Sequence, residues 1–510
     1  MDSFIVSREL MKRSVIIACW VAVLLGGAFL RFDMLADRPF HADEATGARI
    51  TATRMESGGA TFDPTHYHGP LLADLAIPLC KARGENTWGE MTQWTLRTLP
   101  AIAGTLLVLL PLIGRRRFGD APMLLAAALL ASSPLLVYYS RMFIHEPLLV
   151  LFGMAFLFSL THFARHGAPG FLLGLMFATK ETFAISVLAW SAAAALLAWE
   201  NRKNLDVSAI ARSWRVPAAL SLLTFILSAG FFFTDALQHP RGALDAVRTF
   251  FVYETVEGHD KPFGYYFQLL SLPQKSAGLR WFGTPVVLLA VWAFAASFRN
   301  TPRAAATRPF IRFLAYSAAG HFIIYSFFAY KTPWLACLPW AHVCLLAGFS
   351  LTEIPRRGML AKTALVALAG TALVTQSRQA RAATGRLASD DRNPFAYVPT
   401  RRDLAKLESW LGELREIAPG GTLEPVAVIG SDYWPLPWYL RSLGKTGYWN
   451  EPPPELDQLP LVFAMPERAE AVMSALADSH KPLPRGLRAD VPLHVFVRND
   501  IWELWMNAED

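Results

Sequence analysis

Charged residues are scarce in this 510-residue chain: Asp, Glu, Lys and Arg make up 17% of it, against 53% hydrophobic residues. Soluble domains carry about 25% charged residues, so the composition excludes a disordered scaffold and argues against a wholly soluble enzyme. Cysteine is scarcer still. Cys19, Cys80, Cys337 and Cys344 all lie in apolar runs, without the paired spacing of a zinc site or a disulfide framework. They read as small hydrophobes in packed helices. A Walker loop, a GxGxxG fingerprint, a nucleophile elbow and an HExxH pair are also lacking. Their absence argues against ATP-driven transport by this chain alone, serine hydrolysis and zinc proteolysis. There is no tandem repeat and no low-complexity segment.

The formal charge is +7, a sign that suits nucleic acid or anionic lipid. The distribution of that charge decides between them. Lys and Arg concentrate in GRRRFGD (114–120), NRKNLDVSAIARSWR (201–215), FRNTPRAAATRPFIR (298–312) and IPRRGMLAK (354–362), each set between apolar runs. This is the loop bias of a membrane protein, with the basic loops cytoplasmic, and no nucleic acid is expected as a partner.

A helix needs roughly 20 mostly apolar residues to cross about 30 Å of hydrocarbon. Spans are predicted near 14–31, 94–113, 121–139, 147–164, 169–180, 183–199, 215–233, 281–298, 313–329, 333–352 and 362–376. The segment 169–180 is short and could be re-entrant. The first span follows a basic start (Arg8, Lys12, Arg13) and continues into RFDMLADRPF without a small-residue cleavage site, so it is expected to be retained. If the spans alternate, the N-terminus is cytoplasmic. The loop 32–93, the turns near 140–146, Lys180 and Lys331, the loop 234–280 and the tail then share the opposite side. Beyond residue 376, charge and proline rise. EPVAVIG (424–430), LPLVFAM (459–465) and VPLHVFV (491–497) read as strands, and TRRDLAKLESWLGELREI (400–417) and PERAEAVMSALAD (466–478) as helices.

The expected fold is a membrane all-α polytopic bundle over residues 1–376, with about 11 transmembrane helices and a first extracytoplasmic loop at 32–93. A small soluble α/β extracytoplasmic domain is expected over 377–510. The whole would be an integral, multi-pass protein of the cytoplasmic (inner) membrane.

The strongest chemical signal is RPFHADEATGARI (38–50), where Asp43 and Glu44 open a predicted helix that ends near Met55. Helix-start acids complement the dipole and cap free amides. At a membrane surface such a carboxylate could equally act as general base on an acceptor hydroxyl or hold a divalent cation. His41, together with His66 and His68 of DPTHYHGP (63–70), could complete a cation site with Asp43, Glu44 and Glu146. Their spacing matches no metal-ligand signature, and simple hydrogen bonding of these histidines is the alternative.

SPLLVYYSRMFIHEPLLVLF (133–152) sets Tyr138, Tyr139, Arg141, His145 and Glu146 between two apolar spans. An aromatic belt with a snorkelling arginine accounts for the tyrosines. It does not account for Glu146, since charge at membrane depth is costly and usually functional. Lys180 in GLMFATKETF and Lys331 in FFAYKTPWLACLPW are lone ammonium groups among aromatics. Each suits a phosphate oxyanion; alternatively Lys180 pairs with Glu181 or with a carboxylate of another loop. VYETVEGHDKPFGYYFQLL (252–270) offers His259, Asp260, Lys261, Tyr265 and Tyr266 to a sugar or lipid headgroup, or forms an interfacial amphipathic helix. In the tail, Trp434, Trp438 and Tyr439 either stack on carbohydrate, or pack on the sheet or dock to the membrane part.

On these residues the chain resembles the GT-C superfamily of polytopic glycosyltransferases, which includes protein O-mannosyltransferases and lipid A aminoarabinose transferases. Asp43–Glu44 is similar to that superfamily's acidic first-loop motif, and Arg97 in WTLRTLPAIAG to the arginine opening its second span. YYSRMFIHEP resembles its second-loop motif, with Glu146 where aspartate is frequent. GHDKPFGYYFQLL is similar to the histidine–x–x–proline–aromatic–tyrosine signature of the aminoarabinose-type branch. HADEA, HYHGP, ATKE, YKTPWL, RNPFAYV and SDYWPLPWYLR resemble a flippase-activity-associated family of archaeal N-glycosylation, although Ala42 stands where proline is usual.

The resemblance implies inverting transfer of a sugar from a polyprenyl-phosphate donor to an extracytoplasmic lipid, glycan or protein acceptor. Asp43 would be the base, with Glu44 orienting it or binding a cation. Arg97, Tyr138, Tyr139, Arg141, His145, Glu146, Lys180, His259, Lys261 and Lys331 would serve the donor's phosphate and sugar. A divalent cation is the one candidate cofactor, and the bilayer, the lipid-linked sugar and the acceptor are the partners. Two other readings stay open. The chain could bind the lipid-linked sugar through the same lysines and assist its translocation without transfer. A secondary transporter would instead need ionisable groups near mid-bilayer, whereas here they cluster at span ends.

Overall fold

The computed structural model describes residues 2–59, 61–65, 68–163, 166–252, 260–299, 302–352, 358–489 and 491–508. The first half comprises α1 (Asp2–Phe32), α2 (Ala42–Glu56), α3 (Leu71–Ala82), α4 (Gln93–Leu109), α5 (Pro111–Phe118), α6 (Asp120–Ser132), α7 (Pro134–Tyr139), α8 (Glu146–His162), α9 (Ala168–Thr179), α10 (Phe183–Glu200), α11 (Val207–Phe233) and α12 (Gly242–Val252). There follow α13 (Tyr265–Leu270), a hairpin of β1 (Gln274–Ser276) and β2 (Leu279–Trp281), α14 (Thr284–Ala296), α15 (Pro302–Phe327), α16 (Cys337–Gly348) and α17 (Met359–Thr384). Proline at the first or second position opens α5, α7, α8, α9 and α14, where its missing N–H costs no helical bond. Asp206 caps α11 by accepting from the Ala209 N–H at 2.9 Å.

Among the described residues, seven helical segments are long and apolar enough to cross a membrane: Arg13–Phe32, Gln93–Phe118, Phe183–Glu200, Val207–Phe233, Thr307–Phe327, Pro333–Leu351 and Met359–Thr384. The shorter apolar helices α6, α8, α9 and α14 accompany them. Each predicted span is therefore helical, but two of them are broken. The segment near 94–113 divides into α4 and α5, and that near 121–139 into α6 and α7, interrupted at Ser133 ahead of Pro134. The protein is an integral membrane protein. On α1, Val15, Ile17, Leu25 and Phe29 are exposed, as are Val216, Leu222, Ile226 and Leu227 on α11. Apolar faces of this extent suit hydrocarbon. Cys19 is also exposed on α1, so it is not a packing residue, whereas Cys80, Cys337 and Cys344 are buried and free.

The bundle is organised about α16. All of its residues but Val343 are buried, and it packs against α6, α8, α14 and α15. At twelve residues, α9 rises only about 18 Å and is too short to cross alone. It lies along α11 through a small-residue seam. A Cβ added at Gly170 would stand 1.7 Å from Ser221 O, and one at Gly174 1.9 Å from Ser228 Oγ. Two hydroxyls exploit this approach: Thr224 Oγ1 donates to Gly167 O at 2.7 Å and Ser228 Oγ to Phe171 O at 3.2 Å. Small residues at an interface and hydroxyl-to-carbonyl bonds are how helices associate in lipid.

The chain divides into two compact units, Met1–Asp33 with Ser57–Ala76 and Arg97–Gly385, and Met34–Glu56 with Ile77–Leu96 and Arg386–Asp510. First-loop segments thus belong to the same unit as the tail, a grouping that the linear pattern does not show. The tail contributes α18 (Leu407–Ile417), β3 (Val426–Ile429), α19 (Leu436–Tyr439), β4 (Thr446–Trp449), β5 (Leu461–Ala464), α20 (Ala469–Ala475), β6 (His480–Arg488), β7 (Val491–Arg498) and α21 (Asn499–Ala508). Its five-stranded sheet has the order β4-β3-β5-β7-β6. Strand β3 runs parallel to both β4 and β5, with Val426 opposite Thr446 and Leu461, while β7 is antiparallel to β5 and β6. The three predicted strands are the central ones, β3, β5 and β7. Both edge strands went unpredicted: β4 is only TGYW, and β6 carries Pro482, Pro484 and several charges. Edge positions tolerate such residues because one side of the strand needs no partner. Ala427, Ile429, Val462, Ala464 and Phe496 meet Val472 and Leu476 of the α20 region in one core.

Candidate active site

The acidic pair divides into two different carboxylates. Helix α2 starts at Ala42, so His41 is its N-cap and Glu44 its third residue. Glu44 Oε2 accepts from the His41 backbone N–H at 3.0 Å and from Arg38 Nη2 at 2.8 Å, with the side chain fully buried. This is the return arm of a capping box. His41 Nδ1 accepts from the Asp43 N–H at 3.1 Å, so Nε2 is the protonated nitrogen and donates to Tyr397 O at 3.0 Å. Glu44 and both nitrogens of His41 are therefore committed to local structure. The Asp43 side chain is 53% exposed and is the member of the pair open to solvent.

Immediately before this helix, the Phe40 N–H donates to Tyr439 Oη at 2.7 Å, and Phe40 O accepts from Thr400 Oγ1 at 2.8 Å. The Phe40 ring lies 4.2 Å from that of Trp438. Trp438 and Tyr439 are buried, which favours the packing alternative for these two over stacking on carbohydrate. Trp434 is half-buried.

The second polar cluster lies in the other unit, where α8, α9 and α10 begin and end. Gly69 passes so close to the end of α9 that a Cβ there would meet Ala178 O at 2.1 Å. This approach carries His68 to Glu181, with Nδ1 2.9 Å from Oε2. The His68 ring makes an edge contact with His145 at 5.0 Å. Glu146, the first residue of α8, accepts from Lys180 Nζ at 2.6 Å, and both side chains are buried. Lys180 thus pairs with the carboxylate of another turn and not with its neighbour Glu181. Burial works to raise the Glu181 carboxyl; the charge and hydrogen bond of His68, helped by Lys180, outweigh it and hold it at about 2. Burial first, then His68 and Lys180, pushes His145 well below the ordinary histidine range, so it stays neutral.

Other predicted residues take structural partners. Lys331 is buried, and its Nζ donates to Lys261 O at 2.9 Å and to Phe328 O. It thereby pins the segment that Asp260 joins to Tyr330 as an antiparallel bridge. The Lys261 side chain itself is exposed. Tyr266 Oη donates to Thr332 O at 3.2 Å. Tyr138 and Tyr139 are buried edge to face, and Tyr139 meets Trp334 at 5.8 Å. Arg97 is fully buried, and Arg141 Nη1 donates to Leu30 O at 3.1 Å. Arg31 was not anticipated: it is wholly buried and donates to Gly27 O, Ala131 O and Leu130 O at 3.0–3.2 Å. An arginine at the end of an apolar span was its only sequence signal. His66 and His259 lie outside the described residues.

Among the described residues, the candidate donors do not gather into a site for the possible divalent cation: no three His, Cys, Asp or Glu side chains come together as a metal cage. Glu44 and Glu146 are each engaged by a cation, Arg38 and Lys180.

Residues 87–230 match the family model described as dolichyl-phosphate-mannose-protein mannosyltransferase. No curated protein matches the chain by sequence. Among solved structures, apo ArnT from Cupriavidus metallidurans superposes with a TM-score of 0.62 at 16% identity, covering 96% of this chain and 99% of that one. ArnT bound to undecaprenyl phosphate gives 0.61 at 15% identity over 95% and 98%. The oligosaccharyltransferase AglB from Archaeoglobus fulgidus, in complex with an inhibitory peptide and a dolichol-phosphate, gives 0.54 at 15% identity over 98% and 78%. The protein is a polytopic membrane protein of the GT-C fold, and the transferase family model matched by residues 87–230 supports glycosyltransferase activity.

Proposed function

We propose that the protein transfers a sugar from a polyprenyl-phosphate carrier to an acceptor outside the cytoplasm, with inversion at the anomeric carbon. The observation that carries this reading is the mannosyltransferase match over residues 87–230, because that segment contains Arg97, Arg141, Glu146, Lys180 and Glu181. The undecaprenyl phosphate and dolichol-phosphate bound by ArnT and AglB support a lipid-linked donor. In this reading the N-terminus is cytoplasmic, and α2 and the turn at Lys180 lie at the outer face of the cytoplasmic membrane.

Asp43 removes the proton from the acceptor hydroxyl or amide as that group attacks the sugar C1. The bond from C1 to the phosphate oxygen breaks, and its electron pair leaves with the polyprenyl phosphate. The charge that develops on the phosphate calls for cations, and the family-matched segment carries Arg141 and Lys180 for that role. Glu146 holds the Lys180 ammonium in place beforehand, so that little reorganisation is needed during the step. No step is routed through a cation.

The test is transfer from a radiolabelled polyprenyl-phosphate sugar to an envelope acceptor fraction, using protein reconstituted in liposomes. Asp43→Asn is expected to lower transfer by about 10²-fold or more while the carrier still binds. Transfer by Asp43→Asn equal to that of the unmodified protein removes Asp43 from the role of base. Carrier binding without product in the unmodified protein favours assistance to translocation instead.

A further inference from the structure

We infer that Tyr439 and Thr400 are positioning residues for the Asp43 carboxylate, which gives the C-terminal segment a part in the transfer step. The inference rests on Asp43 as the base. Its observation is that both polar backbone groups of Phe40 are taken by side chains remote in sequence: the N–H by Tyr439 Oη at 2.7 Å and the C=O by Thr400 Oγ1 at 2.8 Å. One residue on, His41 is tied to Tyr397 O at 3.0 Å, and its other nitrogen holds the Asp43 N–H at 3.1 Å. One residue past Asp43, Glu44 closes back on the His41 N–H at 3.0 Å. The peptide is therefore fixed on both sides of Asp43, while the Asp43 side chain itself remains open to solvent.

Packing alone does not require this arrangement. Trp438 already covers the Phe40 ring at 4.2 Å, and Phe and Val could fill the volumes of Tyr439 and Thr400. The two hydroxyls add directionality to a contact that is otherwise apolar. A general base must come within about 2.6–3.2 Å of its proton, and a displacement of about 1 Å can cost about 10²-fold in rate. A clamp on the backbone three residues ahead of the base supplies that precision.

The experiment uses the full chain in nanodiscs. Tyr439→Phe and Thr400→Val are expected to lower kcat by about 10- to 100-fold with little change in KM for the carrier, and Thr400→Ser, which keeps the hydroxyl, is expected to restore the rate. A second readout does not depend on catalysis. With exposed Cys19 replaced by Ser and the three other cysteines buried, a spin label on Asp43→Cys should gain mobility in Tyr439→Phe and in Thr400→Val. Unchanged mobility in both variants overturns the positioning role whatever the transfer assay gives. Increased mobility with undiminished transfer by the two variants, assayed with Asp43 in place, overturns it as well. Full activity of Asp43→Asn instead overturns the base assignment, and the label distinguishes that failure from the other.

Discussion

Lys180 Nζ lies 2.6 Å from Glu146 Oε1, joining the end of α9 to the start of α8, with both side chains less than a tenth exposed. A buried pair of this kind is costly to form, and breaking it is costlier, because the remaining charge has no water to turn to. Removing one partner should cost about 3–5 kcal/mol. Glu146→Leu and Lys180→Met are each expected to unfold at much lower temperature in detergent, and the double variant at a temperature nearer the original. Equal losses in all three would mean that the two groups are not coupled.

Glu181 provides an acid-sensitive counterpart. Its carboxyl titrates at about 2 against an ordinary 4.5, because the interactions with His68 and Lys180 outweigh burial. A lowered carboxyl stabilises the fold above its ordinary value, and that contribution disappears as pH falls from about 4.5 toward 2. Thermal unfolding in nanodiscs should therefore decline on acidification through this window. Glu181→Gln is expected to be less stable at neutral pH and to lose part of the decline.

The neighbours Asp43 and Glu44 should part company under conservative substitution. Glu44→Gln disturbs both the bond to Arg38 and the return arm to the His41 N–H, and the loss of a helix cap costs about 0.5–2 kcal/mol. It is expected to lower the unfolding temperature and to reduce transfer only through the displaced helix. Asp43→Asn, at an exposed side chain, is expected to leave the unfolding temperature within about 1 °C while lowering transfer by about 10²-fold or more. Unfolding curves recorded beside the transfer assay separate the two.

The seam between α9 and α11 has no room for a side chain at Gly170 or Gly174. Gly170→Leu should separate the helices, at a cost of at least about 1–3 kcal/mol, and reduce the yield of monodisperse protein in size-exclusion chromatography. The same change at Gly370, where nothing lies within 4 Å, is the control and should leave the yield unaltered.

How much of this could be read from the residues follows from the range of the interactions. Hydrophobic run length is local, so the predicted spans are helical, and the short apolar runs VAVI, LVFA and VPLHVFVR mark the buried strands. The acidic start of α2 was legible too, because capping acts within one turn. What stayed hidden depends on residues far apart in sequence. Whether Lys180 meets Glu181 or Glu146 is a choice between a neighbour and a residue 34 positions away, and only helix packing makes it. The different fates of Asp43 and Glu44 are settled nearer by, where Arg38 and the His41 N–H engage the Glu44 carboxylate and the Asp43 side chain stays half exposed.

Composition and apolar periodicity by themselves determined a membrane protein with a helical bundle and an α/β tail, because burial in lipid or in a sheet core is a property of each segment alone. Tertiary structure decided which charges are spent on partners and which remain for chemistry. It tied Lys331 to backbone carbonyls, buried Trp438 and Tyr439 beside Phe40, and left Asp43 open. A charge in a low-dielectric interior is defined by the groups that face it, and those groups come together only when the chain has folded.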